Sequence, residues 1–130
     1  MTQEKNVNVI IIDDNEMTRE VLRVTLRSDG YQVVGEAADG ESGLEIVRRL
    51  KPDVVFLDVI MPRISGLDVL KQLKQALPKV VVLMVTGNSD RPTVQAALQN
   101  GASGFILKPF NTATVLNTVE TALQRTRGQT

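Results

Sequence analysis

Three aspartates, a lysine and a threonine carry the chemistry this sequence can do. Asp58 closes the apolar run Val54-Val55-Phe56-Leu57, and the doublet Asp13-Asp14 follows Val9-Ile10-Ile11-Ile12. Lys108 ends the run Phe105-Ile106-Leu107, and Thr86 ends Val80 to Val85. Short unbroken apolar runs suit strands buried on both faces. Open α/β sheets bind ligands beyond the carboxyl ends of their strands, so neighbouring strands would bring these groups together. Two carboxylates about 4–5 Å apart repel by roughly 3–4 kcal/mol at an effective dielectric of 20. Such a nest needs a cation, or a proton retained on one acid. A hard divalent ion such as Mg²⁺ meets that need with carboxylates, waters and phosphate oxygens, and Lys108 adds a point charge for an anion. The set describes phosphoryl transfer with a carboxylate nucleophile and an aspartyl phosphate. Asp58 is the nucleophile because it stands alone at its strand end, whereas Asp13 and Asp14 read as a cation pair. The Thr86 hydroxyl can donate to a phosphoryl oxygen.

Each residue alone has a plainer role. Asp13 and Glu16 stand at capping-box spacing, Asp58 can be a turn former, Thr86 before Gly87 can be strand-end filler, and Lys108 before Pro109 can be a solvated cation. Their joint placement at four strand ends outweighs these readings.

Composition narrows the chemistry. The sequence has no Cys and no His, which excludes disulfides, zinc-thiolate sites, thiol nucleophiles and imidazole-based triads. Lys+Arg and Asp+Glu are both 15, so net charge gives no reason to expect direct nucleic-acid or membrane binding. No apolar run approaches a membrane span and no leader is visible, so a cytoplasmic protein is expected. At 130 residues the chain is read as one domain, with a core over about 7–123 and tails at 1–6 and 125–130; Arg125 to Thr130 would start a linker if an effector domain follows.

The elements that must position these groups alternate. Val7 to Ile12 reads as a strand, and Glu16 to Ser28 as a helix bearing Met17, Val21, Leu22, Val24 and Leu26. Tyr31 to Ala37 is a strand. The helix with Leu44, Ile46, Val47 and Leu50 stops at Lys51-Pro52, and the Asp58 strand and the loop Val59 to Ser65 come next. Leu67, Leu70, Leu73 and Leu77 make a third helical stripe, Val80 to Val85 a fourth strand. Asp90-Arg91-Pro92 looks like a helix start for a helix with Val94, Ala97 and Leu98. Gly104 to Leu107 is the fifth strand, and Asn111 or Thr112 caps a last helix with Val115, Leu116, Val119 and Leu123. Five strands alternating with five helices predict a doubly wound parallel sheet, without fixing its strand order.

From about Val7 to Leu123 the sequence resembles the receiver domains of two-component response regulators. The resemblance rests on Asp13-Asp14, Asp58 with Met61-Pro62 and Ser65-Gly66, Thr86-Gly87, Gly101-Ala102-Ser103-Gly104, and Lys108-Pro109-Phe110. It implies a flavodoxin-like (βα)5 sheet of order 2-1-3-4-5, the order also found in a chemotaxis regulator. It implies Asp58 as phosphoacceptor and Mg²⁺ (or Mn²⁺) held by Asp14 directly, Asp13 through water, Asp58 and the Ile60 backbone carbonyl. Lys108 would pair with the phosphoryl group, Thr86 would move to bond it, Phe105 would turn inward, and the bond before Pro109 would be cis. Ile60 and Asn88 would tune hydrolysis.

The resemblance further implies a signalling switch rather than an enzyme with a separate substrate. Its donor would be a sensor histidine kinase or histidine phosphotransfer protein. Its readout face, containing Arg91, Gln95, Gln99, Phe105 and the last helix, would meet an output protein or effector domain. Phe105 lacks the hydroxyl of the tyrosine often found there. Two other classes compete: a phosphohydrolase with an aspartyl-phosphate intermediate, which usually spaces its acids two apart rather than adjacent, and a receiver-like binding module that works without phosphate.

Overall fold

The computed structural model describes residues 4–87 and 90–127. Its five parallel strands are β1 (Asn8–Ile12), β2 (Gln32–Ala37), β3 (Val54–Asp58), β4 (Val81–Thr86) and β5 (Gly104–Leu107), in the order β2-β1-β3-β4-β5. Between and after them lie α1 (Glu16–Ser28), α2 (Gly40–Leu50), α3 (Gly66–Ala76), α4 (Arg91–Gln99) and α5 (Thr112–Arg127). This is a flavodoxin-like doubly wound sheet. Among the described residues no helix is long and apolar enough to cross a membrane.

The unbroken apolar runs are buried on both sides because strand side chains alternate between faces. Ile10, Ile12, Val55, Leu57, Val82 and Met84 meet Leu44 and Val47 of α2, Val69, Leu70 and Leu73 of α3, and Ala97 of α4. Val9, Ile11, Val54, Phe56, Leu83 and Ile106 meet Leu22 and Leu26 of α1 and Val115 and Val119 of α5. Each strand therefore serves two cores and holds its carboxyl end at a fixed height. The register Ile12↔Leu57 makes Asp13 and Asp58 the next pair of positions along β1 and β3. The pairs Asp58↔Val85 and Thr86↔Leu107 carry the same edge across to Lys108.

Helix starts follow side-chain capping. Asn15, Asp39, Ser65 and Asp90 each accept a hydrogen bond from the first turn of α1, α2, α3 and α4, and Asn111 Oδ1 accepts one from Thr114 N at 2.8 Å. Asp13 is thus not the cap of α1, since the shorter reach from Asn15 takes that position. At the far end of α4, Gly101 adopts φ 98°, a left-handed conformation that glycine takes without side-chain strain.

Two apolar stripes are not core. Leu22, Thr25 and Leu26 face the sheet from α1, while Met17, Val21 and Val24 are 72%, 46% and 60% exposed on another side. On α4 only Ala97 is buried, and Leu98 points outward. Leu77 lies one position past α3, as its C-cap.

Candidate functional site

β1 has β2 on one side and β3 on the other, so the chain's connections diverge at its carboxyl end. That divergence opens a crevice between β1 and β3, into which Asp13 and Asp58 project from adjoining strands.

Asp13 is 1% exposed and held on three sides. Its N–H donates to the Ala37 carbonyl at 3.0 Å, its carboxylate Oδ1 accepts from Asn15 N at 2.9 Å, and its carbonyl accepts from Arg19 Nη1 at 2.6 Å. Oδ2 remains. Lys108 Nζ approaches it at 3.1 Å as an ion pair, yet among the described residues this buried oxygen accepts no properly aligned hydrogen bond. Lys108 Nζ also lies 3.8 Å from Asp58 Oδ2, so the lysine stands between the two carboxylates. Oxygens of Asp13, Asp14 and Asp58 all lie within 4.8 Å of one another, with Asp14 exposed at the mouth.

Asp58 is 6% exposed. Burial first, and then the charge of Asp13, push its pKa up to about 7, against the pull of Lys108 and the Ile60 backbone amide. The acid nest is therefore electrostatically unfavourable by itself. Carboxylate donors alone, one partly unsatisfied buried oxygen and one solvent-facing acid fit a small hard cation that keeps several waters.

The remaining groups surround the nest. Thr86 ends β4, is 1% exposed, and its carbonyl accepts from Lys108 N at 2.8 Å. The Lys108–Pro109 peptide is cis. Phe105 is partly buried against the core shared by α2, α3 and α4. Ile60 is 67% exposed beside Asp58. Gly66 N donates to the Val59 carbonyl at 2.8 Å, tying the start of α3 to the loop after Asp58. Asn88 lies outside the described residues.

Next to Lys108 a shallow cavity of about 320 Å³ is lined by Asn15, Met17, Thr18, Val21, Pro109 and Phe110. The exposed Met17 and Val21 side of α1 thus borders the site. Arg19 was not singled out in the sequence at all; a basic residue in the second turn of a helix that starts just after the acid doublet was the available signal.

The family profile for the response regulator receiver domain matches residues 9–120. The chain belongs to this family. Among its relatives, the transcriptional regulatory protein DegU of Brevibacillus brevis is 33% identical over 122 residues, covering 93% of this chain and 52% of that protein. The chemotaxis protein CheY of Thermotoga maritima is 33% identical over 108 residues, covering 83% of this chain and 90% of CheY. In solved structures, the CheX–CheY–BeF3–Mg²⁺ complex of Borrelia burgdorferi superposes with a TM-score of 0.88 at 30% identity, covering 90% of this chain and 89% of that one. The receiver spans about half the length of the transcriptional regulators it matches, such as DegU at 52%. Receiver domains are signalling domains whose general function is a phosphorylation-activated switch, and they bind Mg²⁺ at an acidic site. Response-regulator homologues work with histidine kinases and output domains.

Proposed function

We propose that residues 7–123 act as a single cytoplasmic receiver that takes a phosphoryl group onto Asp58 from a phosphohistidine of a sensor kinase or phosphotransfer protein. The observation that carries this reading is Lys108 Nζ between Asp13 Oδ2 and Asp58 Oδ2, at 3.1 and 3.8 Å, beside a third carboxylate. An Asp58 oxygen attacks phosphorus, the new O–P bond forms as the P–N bond to imidazole breaks, and the departing imidazole nitrogen takes a proton from solvent. Asp13, Asp14, Asp58 and the Ile60 carbonyl would hold Mg²⁺, which supplies charge neutralisation to the phosphoryl oxygens. A CheY similar to this chain has been seen in a complex with BeF3 and Mg²⁺, which supports a Mg²⁺-binding reading of the acid nest.

Lys108 gives the incoming anion a charge-assisted contact, and its ion pair with Asp13 keeps the ammonium aimed into the nest. Phosphorylation replaces one carboxylate charge with about −1.5 to −2 and adds three acceptor oxygens. Thr86 and Lys108, joined through the Thr86 carbonyl, then favour the arrangement of their loops that satisfies those oxygens, with Phe105 repacking. Arg91, Gln95 and Gln99 are exposed on α4, Leu98 of the same helix is 51% exposed, and Leu107 at the end of β5 is 48% exposed; these belong to the face an output partner reads. A protein donor is favoured over a small one by the apolar rim of Met17 and Val21 next to Lys108.

The test is incubation with Mg²⁺ and a small acyl phosphate, read by intact mass. One stable adduct in the wild type and none in Asp58→Asn supports the switch. Continuous turnover of phosphate esters would favour a phosphohydrolase, and no adduct would favour a phosphate-independent module. Ile60 bears on the lifetime of the adduct, because an exposed apolar side chain at the rim cannot orient the attacking water. Ile60→Asn is expected to speed dephosphorylation by up to about tenfold, the scale of one net hydrogen bond. An unchanged decay rate of the adduct defeats this assignment.

A further inference from the structure

We infer that Arg19, which touches neither phosphoryl group nor metal ligand oxygen, is a positioning residue for the metal nest, and that Glu36 anchors it. The inference rests on the reading of Asp13 as part of a Mg²⁺ site. Arg19 Nη1 donates to the Asp13 carbonyl at 2.6 Å, and Arg19 Nε lies 3.4 Å from Glu36 Oε1. The other Glu36 oxygen is held by Arg23 Nη1 at 2.6 Å. Glu36 belongs to edge strand β2, whereas both arginines belong to α1, so one carboxylate pairs with two guanidiniums and orients that of Arg19 against the end of β1.

The Arg19 contact matters because of what else holds Asp13. Its N–H is committed to Ala37 and its Oδ1 to Asn15 N. Arg19 takes the carbonyl, at the point where the strand ends and β-sheet partners run out. With all three fixed, the backbone leaves Oδ2 aimed at Asp58 and Lys108 and carries Asp14 to the mouth. A guanidinium suits this task because its planar fork sends separate N–H groups to a carbonyl and a carboxylate along fixed directions, whereas an ammonium on a flexible stem holds neither partner in a set orientation. The Arg19 and Glu36 side chains are 17% and 24% exposed, so water competes little for the contact.

Positioning and simple charge predict opposite signs, which makes the inference testable. Arg19 is a cation near an acid nest, and removing it would tighten Mg²⁺ binding if charge alone counted. If Arg19 positions Asp13, losing it weakens binding. The experiment titrates Mg²⁺ into the metal-free chain by calorimetry for wild type, Arg19→Gln and Arg19→Lys, with amide hydrogen exchange measured on the same proteins. Arg19→Gln is expected to bind Mg²⁺ about tenfold more weakly, as losing an outer-sphere partner does elsewhere. Arg19→Lys should fall between it and wild type, and remains informative if the glutamine variant folds poorly. In the metal-free variants the Asp13 and Asn15 amides should exchange faster relative to Ile11 in the same strand. Unchanged or tighter Mg²⁺ binding, or exchange that rises equally at Ile11, overturns the inference. Absence of Mg²⁺ binding by the wild type would instead overturn the metal reading beneath it.

Discussion

Gly66→Ala is expected to cost about 3 kcal/mol or more and to lower the melting temperature by roughly 10 °C. A Cβ at this position would lie 2.1 Å from the Asp58 carbonyl oxygen and 2.7 Å from the Val59 Cα. Both are backbone atoms in the segment that carries the acceptor, so no rotamer change relieves the clash. Either α3 moves off the strand end or the Asp58 backbone moves with it. Because Gly66 N also bonds the Val59 carbonyl, the variant that still folds should take up the phosphoryl group poorly. Gly87→Ala is the control: its Cβ would meet nothing within 4 Å among the described residues, and its stability should stay within about 0.5 kcal/mol of wild type. Thermal melts of the two variants check the pair, and equal melting temperatures would remove the steric argument.

Asp58→Asn is expected to stabilise the metal-free protein above pH 7, on the order of 3 kcal/mol. Asp58 in the folded chain keeps its proton up to about 7, because it is buried and faces Asp13; an unfolded aspartate loses its own near 4. Between about pH 4 and 7 the folded state therefore binds more protons than the unfolded one. The contribution is fully present below about 4 and is lost as pH rises through about 7, so wild-type stability falls across that window. Asparagine has no such proton to lose. Urea unfolding in EDTA at pH 5 and pH 8 should show a smaller loss for Asp58→Asn than for wild type. Saturating Mg²⁺ should restore the wild type at pH 8 by mass action and help the variant less. Parallel pH dependences would mean that the carboxylates do not burden one another as their spacing implies.

Much of this was readable from residue order, for physical reasons. Apolar runs such as Val54 to Leu57 can be satisfied only between two layers, and α1 begins and ends where Glu16 and Ser28 place it. Strand order was different: alternation of elements is compatible with many sheets, and 2-1-3-4-5 came from family resemblance before the sheet itself displayed it. The acids were visible because each closes an apolar run. What stayed hidden were side-chain directions. Met17, Val21 and Val24 share a helical face as regularly as Leu22 and Leu26 do, and periodicity does not say which face meets the sheet. Asn15 took the cap that Asp13 and Glu16 had mimicked. The link from Arg19 to Glu36 joins α1 to an edge strand through side chains, and no local pattern announces such a bond.

The most direct measurement of the central claim is chemical localisation of the adduct. The wild-type chain is phosphorylated with an acyl phosphate and Mg²⁺, reduced with borohydride to convert an aspartyl phosphate to homoserine, and mapped peptide by peptide. Homoserine at position 58 alone is the predicted result; homoserine at 13 or 14, or at none of the three, would contradict it.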